Sequence, residues 1–217
     1  HRPCLRKKLT DIILPTQAAK WSAIVEEVKR IHSTGQPILI GTRNVHSSEH
    51  LSGLLKQAGL PHQVLNAVYH QQEAQIIAEA GQCGKITVAP NMAGRGTDIK
   101  LGRGVPELGG LHVISAEPNE SARVDRQLYG RSSRQGDPGS AQGIFSLEDE
   151  VLLRYVGILS ACVQRRSVND RPIRSAWIGS LFRYSQRCAE RLALRKRKNV
   201  LRTDHWLDEQ LGFAGAE

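Results

Sequence analysis

Short apolar runs alternate with segments of helical periodicity along the first 150 residues, and this alternation constrains the fold more than any other feature. The clearest strand candidates are residues 37–41, 86–89 and 111–115, and weaker ones are 10–14, 62–65 and 142–147. Short, continuous apolar runs of this kind are typical of strands buried on both faces of a parallel sheet.

Amphipathic helices are predicted in the intervals between these strands, at residues 16–35, 47–59, 71–80 and 118–134. We expect Thr16 to cap the first helix, and Ser47 or Ser48 to cap the second. Short links between alternating strands and helices imply right-handed crossovers. The fold predicted for residues 1–150 is therefore α/β, with a parallel sheet and helices on both of its faces.

The pattern changes after residue 150, and we predict that residues 151–217 form a helical C-terminal segment. Glu148, Asp149 and Glu150 favour the start of a new helix, where acidic side chains are stabilised. From about residue 172 to Lys198, apolar side chains recur at helical spacing, and a second short helix is predicted at 204–211. The predicted apolar face of the long helix consists of Trp177, Leu181, Tyr184, Cys188 and Leu192.

The net charge of +9 is distributed unevenly. Residues 1–150 carry 17 basic and 15 acidic side chains, whereas residues 151–217 carry 13 and 6. The basic tail could contact nucleic acid, anionic lipid or an acidic partner, or could be a solvated helix face. The four cysteines form no close pair, which favours a reducing cytosol. The chain starts at His1 without an initiator methionine, and we expect it to be a fragment of a longer protein.

The loop that follows the apolar run 86–89 is the first candidate site. It contains Gly94, Arg95, Gly96 and Asp98. Ligands of open α/β sheets bind outside the carboxyl ends of the strands. Backbone N–H groups, a guanidinium and a carboxylate in such a place suit a phosphate and a sugar. The alternative is a plain strand-to-helix turn.

A second candidate site is the triplet Gln127, Arg131 and Arg134, whose spacing of four and three places the three side chains on one face of a helix. Arginine forks match phosphate oxygens, and an arginine that meets the γ-phosphate in the transition state acts as an arginine finger. The alternative is a surface ion-pair cluster with Asp125 and Asp137.

The sequence also lacks features that a complete ATP site requires. It contains no GxxxxGK run followed by Ser or Thr, and no acidic pair after a strand that would hold magnesium. We therefore predict at most half of a nucleotide site, with negligible ATP hydrolysis by the chain alone. The histidines share no metal-ligand spacing, so no metal site is predicted.

Three segments resemble the SecA family of preprotein translocase motor ATPases. The run from Thr87 to Gly102, which contains Asn91-Met-Ala-Gly-Arg-Gly-Thr-Asp98, looks like the family's motif V, and the run from Asp125 to Ser140 looks like its motif VI. The run Leu147-Glu-Asp149 is similar to a segment that follows motif VI. Along residues 1–150 the resemblance implies the second, RecA-like nucleotide-binding domain of SecA, which is of the C-terminal type of superfamily-two helicases.

The resemblance implies a role for each candidate residue. Arg131 and Arg134 would be arginine fingers, with Gln135 beside them, and Gly94, Arg95, Gly96 and Asp98 would line the nucleotide cleft. The cofactor would be ATP or ADP, with Mg²⁺ held by a first nucleotide-binding domain that this chain does not contain. The partners would be that first domain, an unfolded preprotein, a membrane protein-conducting channel and anionic lipid. The implied location is cytoplasmic, with peripheral association at the inner face of the cell membrane.

Three positions depart from the family pattern, namely Pro90, Tyr129 and Ser133. Ser133 replaces a glycine, and we expect it to straighten the helix that carries Arg134. The tail is similar to the start of the SecA helical scaffold at Gln186-Arg-Cys-Ala-Glu190. Two other functions remain open at this point: one half of an RNA or DNA helicase, and a non-catalytic interaction module. The near-neutral charge of residues 1–150 disfavours nucleic acid as the partner.

Overall fold

The computed structural model describes residues 3–65, 70–90, 97–134, 136–166, 170–173 and 176–214. Its seven strands are β1 (Leu5–Lys8), β2 (Ile12–Leu14), β3 (Ile38–Thr42), β4 (Gln63–Val64), β5 (Ile86–Pro90), β6 (Leu111–Ser115) and β7 (Pro138–Ser146). Its helices are α1 (Gln17–His32), α2 (Val45–Gln57), α3 (His70–Glu79), α4 (Ala122–Tyr129), α5 (Glu150–Arg166) and α6 (Ala176–Ala214).

Every strand pair in the sheet is parallel, and the strand order is β1-β7-β6-β3-β5-β4. The short strand β2 also pairs with β7, beyond the end of β1. The central strand β3 lies between β5 and β6, with Ile40 opposite Val88 on one side and Ile114 on the other. A parallel sheet of this kind needs helical cover on both faces, because its central strands β3 and β5 are buried at every position.

Alternate residues of the strands supply two separate cores. Ile38 and Ile40 of β3 face α1 and α2, where they pack with Trp21, Ile24 and Leu51. Leu39 faces the opposite side, where Ile77 and Ala80 come from α3 and its C-terminal end, and Leu128 and Tyr129 come from α4. The period of two along each strand thus buries both faces. The predicted α/β class, with helices on both faces and a helical tail, is confirmed.

The helical tail has a third core of its own. Ile178, Leu181 and Phe182 of α6 pack with Leu152 of α5 and with Phe145 at the end of β7. The rings of Phe145 and Phe182 lie 5.4 Å apart between centroids. In the described part of the chain, no helix is both long and apolar enough to cross a membrane.

Several predicted element boundaries are wrong. The first predicted strand, 10–14, is shortened to β2 (Ile12–Leu14). The preceding edge strand β1 (Leu5–Lys8) was not predicted, because three of its four side chains are charged and hydrophobicity does not mark it. Thr16 caps α1 as predicted, accepting from the Ala19 N–H at 3.2 Å. Asn44, rather than Ser47 or Ser48, caps α2 by accepting from the Ser47 N–H at 2.7 Å.

The long tail helix also differs from its prediction. It is a single helix of 39 residues that includes the predicted second helix at 204–211. Its buried face is offset from the predicted one, because Ile178, Phe182 and Ser185 are buried whereas Trp177 and Tyr184 are 55% and 53% exposed. The helical spacing of Trp177, Leu181 and Tyr184 was correct, but the same spacing also holds for the neighbouring face that carries Ile178, Phe182 and Ser185, and that face is the buried one.

A buried ion pair joins the first helix to the end of the sheet. Lys20 Nζ lies 2.7 Å from Asp149 Oδ1, and the two side chains are 0% and 2% exposed. Asp149 also accepts from the Ser146 N–H at 2.8 Å and from Gln17 Nε2 at 3.0 Å. Burial raises the pKa of Asp149 to about 6, although the charge and the hydrogen bond of Lys20 oppose the rise. Each charge is therefore tolerated because the other is present.

We expect Lys20→Met to destabilise the fold by about 3–5 kcal/mol at neutral pH, because Asp149 would remain buried without its cation. The free energy of unfolding in urea measures the effect. The matched control is Lys29→Met on the same helix, where Lys29 pairs with Glu26 on the surface, and its expected change is below about 1 kcal/mol. Equal losses in both variants would contradict the role assigned to the buried pair.

His112 of β6 is a second buried ionisable group. Its side chain is buried, and Nδ1 lies 2.6 Å from Ser140 Oγ on β7. Burial lowers the pKa of His112 from 6.5 to about 4; Arg30 lowers it further and Glu27 opposes the fall. The folded state consequently favours the neutral imidazole.

We expect the stability that His112 contributes to be complete above pH 6.5 and to be lost as the pH falls towards 4. The unfolded chain binds a proton on His112 in that interval and the folded chain does not. The free energy of unfolding therefore falls by about 3 kcal/mol in total over the interval. Urea unfolding at pH 7 and pH 5 measures this loss. His112→Asn should flatten the profile, whereas His46→Asn, which alters an exposed histidine, should not; identical profiles for the two variants would refute the assignment.

Candidate functional site

The segment that carries Asp98 is fixed by the residues that follow it. After Asp98, Ile99 is buried in the core that contains Leu128. Gly102 N–H donates to Gly81 O at 2.9 Å. A Cβ at Gly81 would lie 2.1 Å from Lys100 O, so only glycine permits this close approach. The segment is therefore packed closely against the end of α3, and Asp98 projects from it with 41% of its side chain exposed.

Arg131 and Arg134 lie in a turn after α4, not on a helix as predicted. The helix ends at Tyr129, and Gly130 is its C-cap. Arg131 N–H donates to Leu128 O at 3.0 Å, and Asp137 N–H donates to Arg134 O at 2.8 Å. The spacing of Gln127, Arg131 and Arg134 matched a helical face, but the α-helical hydrogen bonds end at Gly130, and Arg131 N–H and Ser132 N–H bond instead to the carbonyls three residues back. The expected straightening of that helix by Ser133 is also wrong, since Ser133 Oγ donates to Asp137 O within the turn.

One contact brings the two predicted motifs together. Arg134 Nη1 lies 2.6 Å from Asp98 Oδ1, across 36 residues of sequence. Arg134 is 36% exposed and Asp98 41%, so solvent reaches both groups. The ion-pair alternative named Asp125 and Asp137 as partners, whereas Asp125 accepts from Asn119 and Gln186. An exposed pair of this kind contributes about 0–1 kcal/mol.

The contact lies near the amino-terminal edge of the sheet, which differs from the expected carboxyl edge. Because α4 runs antiparallel to the strands, its C-terminal end returns to the edge where β6 and β7 begin. Ser132 O is so close to Gly139 that a Cβ on that glycine could not be accommodated. The chain leaves β5 at the carboxyl end of that strand. By residues 100–102 it contacts Gly81, which lies just before the start of β5.

The other predicted site residues, Gly94, Arg95, Gly96 and Gln135, lie outside the described residues. Of the seven candidates, the structure describes Asp98, Arg131 and Arg134. Two of them are in direct contact, and the third is three residues from Arg134 in the same turn.

A groove of about 1040 Å³ opens elsewhere, between β1, β2, α4 and α6. Arg6, Lys8, Tyr129, Phe182 and Arg183 are among its lining residues. Asp98, Arg131 and Arg134 are not. The described residues of the candidate site therefore lie on an exposed surface rather than in this groove.

Contacts between α6 and α4 were not predicted from the sequence. Gln186 Nε2 donates to Asp125 Oδ2 at 2.6 Å, and Glu190 Oε1 accepts from the Ala122 N–H at 3.1 Å. Gln186 and Glu190 are four residues apart and hence on one helix face. That spacing was the available signal, but nothing in it identified α4 as the partner.

The family comparison accounts for most of the chain. Residues 3–106 and 103–170 match the family described as the SecA P-loop domain. The chain belongs to the SecA family. The sequence nevertheless contains no GxxxxGK run, so this SecA-family chain has no phosphate loop of that pattern itself.

Similar curated proteins carry the name protein translocase subunit SecA. Those from Oleidesulfovibrio alaskensis and Thermotoga maritima are each 46% identical over 213 residues, and that from Fervidobacterium nodosum is 47% identical over 212. The match covers 97% of this chain and 24% of each relative. The chain thus spans about a quarter of the length of these SecA proteins.

Solved structures with a similar fold are DEAD-box proteins. The E. coli protein SrmB, crystallised with the regulator RraA, has a TM-score of 0.55 at 21% identity, over 73% of this chain and 87% of that one. Yeast Prp28 has a TM-score of 0.55 at 16% identity, over 82% and 37%. At these identities the likeness shows the fold alone, which is the RecA-like sheet of these helicases.

We expect Asp98→Asn to change the free energy of unfolding by less than about 1 kcal/mol, because the Arg134 pair is exposed and screened. Urea unfolding at low and moderate salt measures the change. Arg134→Gln removes the same pair from the other side and should give the same small value. A loss above 2 kcal/mol in both variants would mean that the pair holds the fold together and is not free to open for a ligand.

Proposed function

We propose that this chain is the second nucleotide-binding domain of a SecA-type, ATP-driven protein translocase. In this proposal Arg131 and Arg134 act as arginine fingers on an ATP site shared with a first nucleotide-binding domain. The observation that carries it is the contact between Arg134 and Asp98, because it joins motif V to motif VI at an exposed surface. Membership of the SecA family supplies the reaction class.

The exposed groups fit a nucleotide. A guanidinium that is 36% exposed can exchange a carboxylate for phosphate oxygens, and a carboxylate that is 41% exposed can accept from ribose hydroxyls. We assign Mg²⁺ to the first nucleotide-binding domain. Gly94, Arg95, Gly96 and Gln135 would complete this side of the cleft by their resemblance to the family motifs.

The mechanism is closure of the two domains. When bound, ATP supplies the phosphoanhydride bond whose hydrolysis drives the motor. Arg134 Nη1 contacts Asp98 Oδ1 at 2.6 Å in the structure, and we take this arrangement to be the open form, in which Asp98 would keep the guanidinium close to the cleft. In the closed form Arg131 and Arg134 would turn to the γ-phosphate and neutralise the charge that develops in the transition state. Exchange of partners costs Arg134 little, because an exposed pair is worth about 1 kcal/mol or less.

The larger function follows from the relatives, which are named protein translocase subunits. We propose an unfolded preprotein as the substrate and a membrane channel as the partner. The protein would be cytoplasmic, and the basic residues of α6 would contact anionic lipid at the inner face of the membrane. A helicase role shares the same fold, but 46% identity to SecA proteins over 97% of the chain favours translocation.

We expect Arg131→Ala and Arg134→Ala to lower kcat of the full-length gene product by about 10³-fold or more, as loss of an arginine finger does. Steady-state ATP hydrolysis with and without an unfolded secretory peptide measures this. The chain by itself should bind ADP weakly and hydrolyse ATP negligibly, because it has no phosphate loop.

The matched control is Arg123→Ala, which removes an exposed arginine from the opposite end of α4 and tests whether any loss of charge there has the same effect. Wild-type kcat in both finger variants would exclude the assignment. Rapid hydrolysis by the isolated chain would falsify the shared-site proposal, and stimulation by RNA in place of peptide would favour the helicase.

A further inference from the structure

A carboxylate from the tail helix lies at the amino-terminal end of α4. Glu190 Oε1 accepts from the Ala122 N–H at 3.1 Å and from Ser121 Oγ at 3.0 Å. The first N–H groups of a helix have no partner within the helix, and a negative charge there is stabilised by the helix dipole. Ser121 meanwhile caps α4 locally by accepting from the Arg123 N–H at 3.3 Å. Glu190 thus supplies a second cap from 68 residues away.

An amide one turn earlier in α6 makes a second connection. Gln186 Nε2 donates to Asp125 Oδ2 at 2.6 Å and to Asn119 O at 3.0 Å. Asp125 Oδ1 in turn accepts from Asn119 N and Nδ2 at 3.1 and 2.7 Å. Burial raises the pKa of Asp125, and the hydrogen bonds from Asn119 and Gln186 oppose that rise. The first turn of α4 and the loop before it are therefore tied to α6.

The other end of α4 leads directly to the arginines. Leu128 packs so closely on β3 that a Cβ at Gly41 would lie 2.4 Å from Leu128 Cδ2. Arg131 N–H and Ser132 N–H donate back to Leu128 O and Tyr129 O at 3.0 and 3.1 Å. The turn is thus an extension of the helix end, and its position follows that of α4.

The short length of α4 makes these outside contacts decisive. It has eight residues, and a helix of that length is marginal in water without tertiary support. Its buried residues are Leu128 and Tyr129, both in the last turn. The first turn is instead held by the polar contacts with Gln186 and Glu190. Because α6 is itself fixed on the sheet edge through Ile178, Leu181 and Phe182, it provides a rigid support for α4.

We propose that Gln186 and Glu190 are positioning residues for Arg131 and Arg134, acting through the first turn of α4. This inference rests on the proposed role of the two arginines. An error of about 1 Å in the placement of a catalytic group can cost about 10²-fold in rate. The link also operates in reverse, since a displacement of the arginines on domain closure is transmitted through α4 to α6.

The first test is amide hydrogen exchange on the chain with Gln186→Ala or Glu190→Ala. The amides of α4 and of Arg131 and Ser132 should exchange at least ten-fold faster, while the amides of β6 change less than two-fold. Arg187→Ala, on an exposed position of the same helix, is the matched control and should change neither set. Unchanged exchange at Arg131 and Ser132, or equal acceleration in β6, would overturn the proposal.

The second test is ATP hydrolysis by the full-length gene product with the same substitutions. Glu190→Ala should lower kcat at least ten-fold and change KM for ATP less than two-fold, because the arginines act in the transition state. Glu190→Gln should restore kcat to within three-fold of wild type, since its amide oxygen can still accept from the Ala122 N–H. Wild-type kcat in both alanine variants would overturn the proposal. A rise in KM for ATP by the same factor as the fall in kcat would also overturn it.

The two tests separate this inference from the proposed function. If Arg134→Ala retains wild-type kcat, the finger assignment fails whatever the exchange data show. If Arg134→Ala abolishes turnover while Gln186→Ala and Glu190→Ala leave turnover and exchange unchanged, the finger assignment stands and the positioning role fails.

Discussion

The buried pair of Lys20 and Asp149 is the interaction on which the arrangement of the sheet and the helical C-terminal segment depends. It joins α1, which covers one face of the sheet, to the residue that precedes α5. Glu148 strengthens the junction, because its Oε2 accepts from the Gln17 N–H at 2.7 Å at the start of α1. Two desolvated charges at 2.7 Å tolerate little displacement, so the pair specifies one direction for the chain as it leaves β7. The positions of α5 and α6, and hence of Gln186 and Glu190, follow from it.

In contrast to the buried pair of Lys20 and Asp149, the ion pair of the candidate site is exposed to solvent. Arg134 and Asp98 are both more than a third exposed, and their contact adds little to stability. The surrounding backbone is nevertheless well fixed, through Ile99 on one side and the hydrogen bonds of the Arg131 turn on the other. Exposed, weakly paired side chains on a fixed backbone are suited to exchanging one partner for another. In the proposed function, another domain would present the second partner.

Local patterns predicted most of the fold, and tertiary contacts account for what they missed. The run 111–115 is β6 to the residue, because Leu111, Val113 and Ile114 mark a strand that is buried on both faces. The end of α4 was misplaced because Arg131 and Arg134 continue its periodicity beyond Gly130. Edge strand β1 was missed because its side chains are polar. No local pattern encodes the long-range contacts, because their partners lie 36 to 69 positions apart in the sequence. These contacts are that of Arg134 with Asp98 and those of Gln186 and Glu190 with α4.

Because α6 is long, a small rotation where Gln186 and Glu190 contact α4 would produce a large displacement at the far end of the helix. From Glu190, which is bound to α4, the helix continues for 24 residues to Ala214, or about 36 Å at 1.5 Å per residue. Side chains described along residues 190–204 are exposed, so this part projects away from the sheet. Rotation of the base by about 5° would carry the far end through about 3 Å over that length. A sub-ångström shift of the helix base beside the arginines would therefore be amplified at the far end of α6 to about 3 Å, which is close to the length of one residue of extended chain.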